Sequence, residues 1–310
     1  MTTVEIATHG STLALEGRRL RINRHEGGHA HVPIEDLDLV ILEVPAVGVS
    51  GAALAALAEA GVPMMVCDAR HVPAAWLHPL GVADIFDPRR ARRQAALGER
   101  TRDRLWRDLV CAKIMAQADL VADLGLPDAR LRRLAEDVDK GDPENREATA
   151  AQFYWPALFG EDFRRRGDST EVAALDWGYA VLRAMICRAL VAAGLYPAIG
   201  LHHMAAGNAF NLADDVIEPY RPLVDRLVRE ARLADPTLAP AQWKPRLAAL
   251  GEHPLAMAGK TLRARAAVKA TVDSLARIVD DGKGRIALPT RILEARDARR
   301  LATDVADGVL

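Results

Sequence analysis

The densest group of side chains that could do chemistry lies between residues 200 and 225. Two adjacent histidines, His202 and His203, precede a segment in which Asp215 and Glu218 stand three residues apart. If this segment is helical, the two carboxylates share one face. Acids grouped so closely repel one another unless a cation sits among them, and carboxylates with one imidazole suit Mg²⁺ or Mn²⁺. The spacing therefore indicates a site for a hard divalent metal.

Ordinary structural roles stay open for the same residues. Acids in the first turn of a helix favour the helix dipole without binding anything, and a histidine pair is often a packing or surface feature. Asp214 lies four residues before Glu218 and adds a third acid that could meet it. Clustered ionisable groups indicate function only in a statistical sense.

A second acidic segment spans residues 141–160 and places Glu147 on a predicted helix. Asp142 and Pro143 are typical of a cap and a first turn, and an aromatic run, Phe153 to Trp155, is predicted to pack behind the acid. A helical glutamate is most often solvated, so this segment alone does not decide between a ligand and a surface residue.

The N-terminal part, which is expected to help position these residues, has the sequence pattern of a small β-rich domain. Short β-branched or alternating runs, separated by glycine and proline, predict strands at residues 4–7, 13–17, 19–22, 37–44 and 63–68. One helix is predicted between Ser50 as its cap and Gly61 as its stop. The apolar strand at 37–44 fits either a dimer surface or a buried core.

The remainder of the chain is predicted to be helical. Apolar residues recur at helical steps from about residue 87 onward, and no later segment alternates like a strand. Further helices are predicted at residues 118–138, 145–157, 171–194, 211–233, 241–249, 257–281 and 287–305. The fold class is therefore α+β, with a β-rich domain at 1–80 and an all-α catalytic domain at 81–310. The border is predicted at residues 76–87, where prolines cluster.

Composition restricts the classes of protein that fit. The chain has 310 residues, 41 basic and 42 acidic groups and a net charge of -1, which argues against coating nucleic acid by bulk charge. Its 3 cysteines lie far apart, so neither a disulfide framework nor a cysteine zinc site is expected. No signal sequence or long apolar span is evident, and a soluble cytoplasmic location is expected.

Taken together, the two polar segments carry a recognisable series of blocks. Gly-Asp-x-x-Asn-x-Glu-Ala, an aromatic stretch ending in Leu-Phe-Gly, Gly-Tyr-x-x-Leu, Ala-Gly-Leu-x-Pro-x-x-Gly-x-His-His and Phe-Asn-Leu-Ala-Asp-Asp-x-x-Glu-Pro-Tyr-Arg-Pro follow one another. The blocks occupy residues 141–148, 154–160, 178–182, 193–203 and 210–222. In this order they resemble the CRISPR-associated Cas1 family of integrases, and most closely the type II subgroup found beside Cas9.

The resemblance implies a metal site held by three residues. The family's ligands fall on Glu147, His203 and Glu218, and His203 is preferred to His202 because its spacing to Glu218 suits the family. Asp215 is implied as a supporting residue or alternate ligand. Arg221 follows Glu218 by three residues and is predicted to hold a phosphate oxygen. This chain departs from many relatives at Asp176-Trp177 and in the segment after the histidines, which concerns DNA contacts near the site.

The resemblance also implies the reaction and the partners. A metal-assisted attack of a DNA 3′-hydroxyl on a phosphodiester would insert short DNA fragments into a CRISPR array, and water in its place would give nuclease activity. The implied cofactor is Mg²⁺ or Mn²⁺. The implied partners are double-stranded DNA, a second copy of the chain, a Cas2 dimer, and in some systems Cas9 and an accessory adaptation protein.

Arginines offer candidate contacts to the DNA backbone. The sharpest basic patch is the arginine triplet Arg164, Arg165 and Arg166, which follows the Glu147 segment. Eight more arginines lie between residues 89 and 107, where interspersed acids fit a solvated helix face equally well.

Two other functions compete with this interpretation. A non-catalytic DNA-binding scaffold would keep the fold without the chemistry, but all three ligand positions carry residues able to bind metal. An unrelated metal-dependent phosphohydrolase would use His202 and His203 with Asp214 and Asp215, and would depend little on Glu147.

Overall fold

The fold is taken from a computed structural model that describes residues 2–25, 27–68, 73–77, 88–237 and 240–294. The chain divides into two compact units, residues 1–88 and 89–310. The first unit is β-rich and the second mainly helical, as the sequence predicts. Most of the predicted border, residues 78–87, lies outside the described residues.

The described residues of the first unit form two four-stranded sheets and one α-helix. Its elements, in chain order, are β1 (Thr2–Ile6), β2 (Thr12–Glu16), β3 (Arg19–Asn23), β4 (His29–Pro33), β5 (Leu37–Leu42), β6 (Gly48–Val49), α1 (Gly51–Glu59), β7 (Met64–Cys67) and β8 (Pro73–Leu77). One sheet has the order β1-β5-β7-β8, with the first three strands parallel, and the other has the order β4-β3-β2-β6.

Helix α1 forms where its cap predicts. The Ser50 hydroxyl accepts a hydrogen bond from the Ala53 amide at 3.2 Å, and Gly61 leaves the helix with a φ of 71°. Leu57 on this helix is fully buried in a core shared with Leu13 and Val40. Strand β5 lies between β1 and β7, and its residues Leu37, Val40 and Leu42 belong to this core, which favours the buried-core alternative for them.

The second unit is built from long helices. Its helices are α2 (Pro88–Ala95), α3 (Glu99–Asp123), α4 (Ala129–Glu136), α5 (Arg146–Phe159), α6 (Thr170–Ala192), α7 (Asn211–Val216), α8 (Arg221–Ala234), α9 (Pro240–Ala248) and α10 (Ala264–Asp281). The predicted helix at 118–138 is wrong as a single element, because α3 ends at Asp123 and Gly125 takes a φ of 72° before α4 begins. The predicted helix at 211–233 is likewise interrupted by a 3-10 turn, Glu218–Tyr220.

The expectation that no strand follows residue 90 is also wrong. A three-stranded antiparallel sheet is formed by β9 (Pro254–Met257), β10 (Lys260–Arg263) and β11 (Arg291–Ile292), with β9 in the centre. Ala258 and Gly259 take positive φ angles of 50° and 74° and form the hairpin turn at a place where a helix was predicted from residue 257. The last predicted helix, 287–305, is wrong in its described part, because residues 287–294 form no helix and include β11; residues 295–305 lie outside the described residues.

None of the helices in the described part of the chain is long and apolar enough to cross a membrane.

Candidate metal centre

Glu147 stands at the start of α5, where the chain makes a tightly capped turn. Asp142 and Asn145 both adopt left-handed backbone angles, with φ of 52° and 51°. Asp142 accepts hydrogen bonds from the amides of Arg146 at 2.8 Å and Glu147 at 3.1 Å, and Asn145 Oδ1 accepts one from the Ala148 amide. The helix therefore begins at Arg146, later than the predicted first turn at Pro143. Capping fixes the amide of Glu147 and so the direction of its side chain.

Replacing Asp142 with alanine is expected to destabilise the helical unit by about 1–2 kcal/mol, because two amides at the helix start lose their acceptor. Urea unfolding followed by circular dichroism measures the change. The matched control is Asp139→Ala, which removes an exposed acid from the same turn and should shift the free energy of unfolding by less than about 0.5 kcal/mol. Equal effects of the two substitutions would contradict the capping role.

Glu218 is buried at the 3-10 turn between α7 and α8. Pro219 and Pro222 lack amide hydrogens, which is why the predicted single helix does not continue through this point. Glu218 is 3% exposed, and its Oε1 accepts a hydrogen bond from Arg221 Nε at 2.8 Å. Burial alone would raise the pKa of Glu218, but the cations of Arg221 and Lys113 hold it at about 2. The carboxylate is therefore ionised throughout the neutral range.

Lys113, on α3, brings the two glutamates together. Its Nζ lies 2.5 Å from Glu147 Oε1 and 2.5 Å from Glu218 Oε2, so the two oxygens are at most twice that distance apart. Burial would lower the pKa of Lys113, but Glu218 and Glu147 raise it above its usual value. Lys113 is not among the predicted site residues, although its position four residues after Leu109, on the apolar face of a helix, is a signal that the sequence contains.

His203 is held by Asp215 through both its backbone and its ring. Asp215 Oδ1 lies 2.7 Å from His203 Nδ1 and accepts the His203 amide at 3.0 Å, while Oδ2 accepts the amides of Leu201 and His202. Asp215 itself is fully buried. With Nδ1 donating to the carboxylate, Nε2 keeps a lone pair that can bind a metal. Both oxygens of Asp215 are occupied, which favours a supporting role over that of an alternate ligand.

The same hydrogen bond raises the pKa of His203 above its usual value, with the nearby charge of Glu218 adding to the effect. His202 has a different environment: its ring stacks on the buried Trp106, with centroids 4.2 Å apart and planes 3° from parallel. Trp106 also meets the edge of His203, with centroids 5.6 Å apart. The two histidine rings thus have different partners: that of His203 contacts Asp215, and that of His202 stacks on Trp106.

Behind Arg221 lies a buried group, Asp225 with two tyrosines, that is not among the predicted site residues. Asp225 accepts hydrogen bonds from the hydroxyls of Tyr154, at 2.7 Å, and Tyr179. The Arg221 guanidinium lies 4.7 Å from the centre of the Tyr179 ring and links this group to Glu218. Burial raises the pKa of Asp225 to about 6, although the hydrogen bonds from Tyr179 and Tyr154 act in the opposite direction.

The stability of the folded protein is expected to contain a contribution from Asp225 that falls as the pH rises from about 4 to about 6. Because the pKa is raised from 3.8 to about 6, the folded state binds this proton more tightly than the unfolded chain does. The contribution is complete below the unfolded pKa and is lost through the folded pKa, and it amounts to roughly 3 kcal/mol at most. Urea unfolding at about pH 4.5 and 7 should show a smaller difference for Asp225→Asn than for wild type; identical differences would contradict the assignment.

The three side chains of the arginine triplet have different surroundings. Arg165 pairs with Asp176 at 2.5 Å, and its guanidinium lies 5.2 Å from the centre of the Tyr179 ring, near Arg221. Arg164 instead donates to the carbonyl oxygens of Glu161 and Phe163 and lines a separate cavity of about 520 Å³. Arg166 is exposed. Within the triplet, therefore, Arg165 is connected to the site: it contacts the ring of Tyr179, which Arg221, the partner of Glu218, also contacts.

Several arginines between residues 89 and 107 hold the helical unit together. Arg90 forms a bidentate ion pair with Asp280 and donates to the Ala193 carbonyl oxygen, while Arg104 donates to the Gly284 carbonyl oxygen and Arg107 to that of Val138. The two predicted alternatives for these three residues are a solvated helix face and a contact to DNA. Their contacts within the helical unit favour neither of these.

The described residues do not contain a group of three His, Cys, Asp or Glu side chains already arranged around a metal position. The structure does bring Glu147 and Glu218 to a single cation, Lys113. His203 is near enough to Glu218 for the carboxylate charge to raise the histidine pKa.

Comparison with known proteins identifies the family. The family model of CRISPR associated protein Cas1 matches residues 4–234. The chain belongs to the Cas1 family. It is 40% identical over 222 residues to the CRISPR-associated endonuclease Cas1 of Neisseria meningitidis, covering 71% of this chain and 72% of the relative. It is 30% identical over 244 residues to the Cas1 endonuclease of Hyperthermus butylicus, covering 68% and 73%.

Solved structures show the same Cas1 fold at low sequence identity. A casposase bound to integration product has a TM-score of 0.78 at 17% identity, with 99% of both chains covered. A Cas1 protein from Thermotoga maritima has a TM-score of 0.71 at 15% identity, covering 91% of this chain and 97% of the other. The family predicted from the motif blocks is confirmed, and this Cas1 chain is an enzyme of the endonuclease class.

Proposed function

We propose that this Cas1 chain is a divalent-metal-dependent DNA integrase that inserts short DNA fragments into a CRISPR array. The observation that carries the proposal is the convergence of Glu147 and Glu218, from separate elements, on one buried cation position. The relatives named CRISPR-associated endonuclease and the casposase with its integration product support the same class of chemistry.

The donor set fits Mg²⁺ or Mn²⁺. Glu218 Oε2 is buried and faces the Lys113 ammonium, so the surroundings of this oxygen already stabilise a cation. Carboxylate oxygens are the ligands that Mg²⁺ prefers. Glu147, His203 and Glu218 would hold the ion, and two carboxylates with one imidazole are the ligands these metals accept. When bound, the ion would act as a Lewis acid on the scissile phosphate and favour deprotonation of the attacking hydroxyl.

The residues around the ligands have supporting tasks in this proposal. Asp215 holds His203 in the tautomer with its lone pair on Nε2, and Arg221 offsets the charge of Glu218 while presenting its remaining donors to a phosphate oxygen. Arg165, beside the same tyrosine, is proposed to contact the DNA backbone. The sequence-independent part of DNA binding would come from such contacts.

The reaction exchanges one phosphodiester for another. The oxygen of an incoming DNA 3′-hydroxyl forms a bond to phosphorus, and the bond from phosphorus to the 3′-oxygen of the target strand breaks. The proton lost by the attacking hydroxyl balances the one taken up by the leaving oxygen. With water as the attacking group, the same site would hydrolyse DNA.

The partners follow the family. A Cas6-RT-Cas1–Cas2 complex shares the fold, with a TM-score of 0.73 at 16% identity. We propose that this chain acts on double-stranded DNA in the cytoplasm, as a homodimer with a Cas2 dimer, and in some settings with Cas9 or an accessory adaptation protein. Co-purification and sedimentation of the chain with Cas2 test this composition.

The test is an integration and plasmid-nicking assay with Mg²⁺ or Mn²⁺. The variants Glu147→Gln, His203→Ala and Glu218→Gln should each lose activity by about 100-fold or more, as expected when a metal ligand is removed. Glu144→Gln, an exposed acid in the same loop as the Glu147 turn, is the matched control and should retain wild-type activity. Wild-type activity in all three ligand variants would overturn the proposal. Hydrolysis of small phosphate esters that does not depend on Glu147 would instead support the phosphohydrolase alternative.

A further inference from the structure

Lys113 occupies an unusual position for a lysine. It lies on α3 among apolar residues, is 8% exposed, and directs its ammonium to the point where Glu147 and Glu218 converge. Burying an ammonium is costly unless anions surround it, and here two carboxylates from different elements do so. Arg221 adds a second cation on the other oxygen of Glu218, so two cations balance the two acids.

The ammonium and a divalent ion compete for the same oxygens. A Mg²⁺ ion bound by Glu147 and Glu218 would need carboxylate oxygens at about 2.0–2.1 Å, and one oxygen of each glutamate now has the Lys113 nitrogen 2.5 Å away. If the ion takes these two oxygens while the ammonium stays in place, the two cations repel each other at close range. Metal binding therefore disfavours the present position of Lys113.

We propose that Lys113 is a built-in counter-cation, which holds Glu147 and Glu218 in place without metal and is displaced onto the DNA phosphate when metal binds. This inference rests on the proposed function, since it takes these glutamates as metal ligands. Arg221 contacts the opposite oxygen of Glu218 and can stay in place during the exchange. The phosphodiester brings a new anion to the site, and an ammonium with three donors can follow it.

Two consequences distinguish this role from simple packing. Metal binding without DNA must displace a paired lysine, so the affinity for metal is lowered by Lys113. Metal and DNA then bind cooperatively, because the phosphate stabilises the displaced ammonium, and such coupling is reciprocal.

The experiment measures Mn²⁺ binding by isothermal titration calorimetry on the full chain, with and without a duplex DNA. The variants are wild type, Lys113→Met, Glu218→Gln and Lys269→Met, which removes a lysine from an exposed helical ion pair and serves as the control. Lys113→Met should bind Mn²⁺ about 10-fold tighter than wild type without DNA, and DNA should tighten Mn²⁺ binding more in wild type than in this variant, where only the direct contact of the ion with the phosphate remains. Lys269→Met should match wild type in both measurements.

Thermal unfolding gives a second readout. In EDTA the midpoint of Lys113→Met should lie below that of wild type, because the two carboxylates then lack their shared cation, and Mn²⁺ should raise it more than it raises the wild-type midpoint. A variant that folds only when Mn²⁺ is present would also support the proposal. If Lys113→Met stays unfolded with Mn²⁺, the same Mn²⁺ titration is carried out on Lys113→Gln, which keeps a hydrogen-bond donor for the carboxylates but has no charge.

The outcomes separate the two proposals. Unchanged or weaker Mn²⁺ binding by the Lys113 variants, together with loss of binding in Glu218→Gln, would overturn the counter-cation and leave the metal site intact. Absence of Mn²⁺ binding in every protein, wild type included, would overturn both the counter-cation and the proposed function.

Discussion

Replacing Gly200 with alanine is expected to reduce metal-dependent integration by about 100-fold or more while the helical unit stays folded. A Cβ at this position would lie 2.1 Å from the carbonyl oxygen of His203 and 2.9 Å from Asp215 Oδ2. Neither neighbour is the free end of a flexible side chain, so the backbone carrying His203 must move. A displacement of about 1 Å at a catalytic group costs on the order of 100-fold in rate.

The segment supplies its own control. Gly207 lies in the same connection between α6 and α7, and a Cβ there meets no atom within 4 Å. Gly207→Ala should therefore keep wild-type integration, with a change in the free energy of unfolding of less than about 0.5 kcal/mol. Integration is measured with a labelled DNA fragment, and folding by circular dichroism. Equal activity of the two variants would show that the close approach at Gly200 does not position the histidine.

The second large effect is expected for Asp215→Asn. The carboxylate accepts hydrogen bonds from three backbone amides and from the ring of His203. In asparagine one of the two oxygens is replaced by an NH₂ group, which is a donor and cannot accept any of these bonds. At least one buried backbone amide then loses its acceptor, which should lower the free energy of unfolding by about 1–3 kcal/mol. Loss of the partner that orients His203 should also lower metal affinity or integration by about 10- to 100-fold.

Nuclear magnetic resonance titration of the histidines gives an independent readout of the same change. The hydrogen bond to Asp215 raises the pKa of His203, so Asp215→Asn should move that pKa back toward its ordinary value. Asp214→Asn is the control, because Asp214 pairs with Asn208 and Arg183 and its charge raises the His203 pKa less than the Asp215 hydrogen bond does, so the shift should be smaller. A His203 pKa that is the same in wild type and Asp215→Asn would contradict the positioning role.

Local sequence signals determined the helices with strong caps. Ser50 and Asn145 each accept an amide hydrogen bond at a helix start, and Ser169 does the same for α6. The predicted ranges 145–157 and 171–194 therefore agree with Arg146–Phe159 and Thr170–Ala192 to within two residues. Caps act between residues three apart, so the signal is complete in the sequence.

Pairing between distant segments could not be predicted in this way. Strand β9 was assigned to a helix from its last residue onward, yet it pairs with β10 next to it and with β11 more than thirty residues later. Short strands of four residues or fewer carry little periodicity, and their formation depends on partners brought by the rest of the fold. The break at Glu218 was within reach of the sequence, because two prolines mark it.

For the candidate site, the sequence by itself determined the family and the positions of Glu147, His203 and Glu218, because their identities and spacing lie in ordered blocks. Only the tertiary structure decided which cation Glu147 and Glu218 share. On the sequence, Lys113 is one lysine in a long helix, and its surroundings depend on how α3, α5 and the 3-10 turn pack. Burial makes that placement matter, since a paired ammonium in the interior interacts far more strongly with carboxylates than one in water.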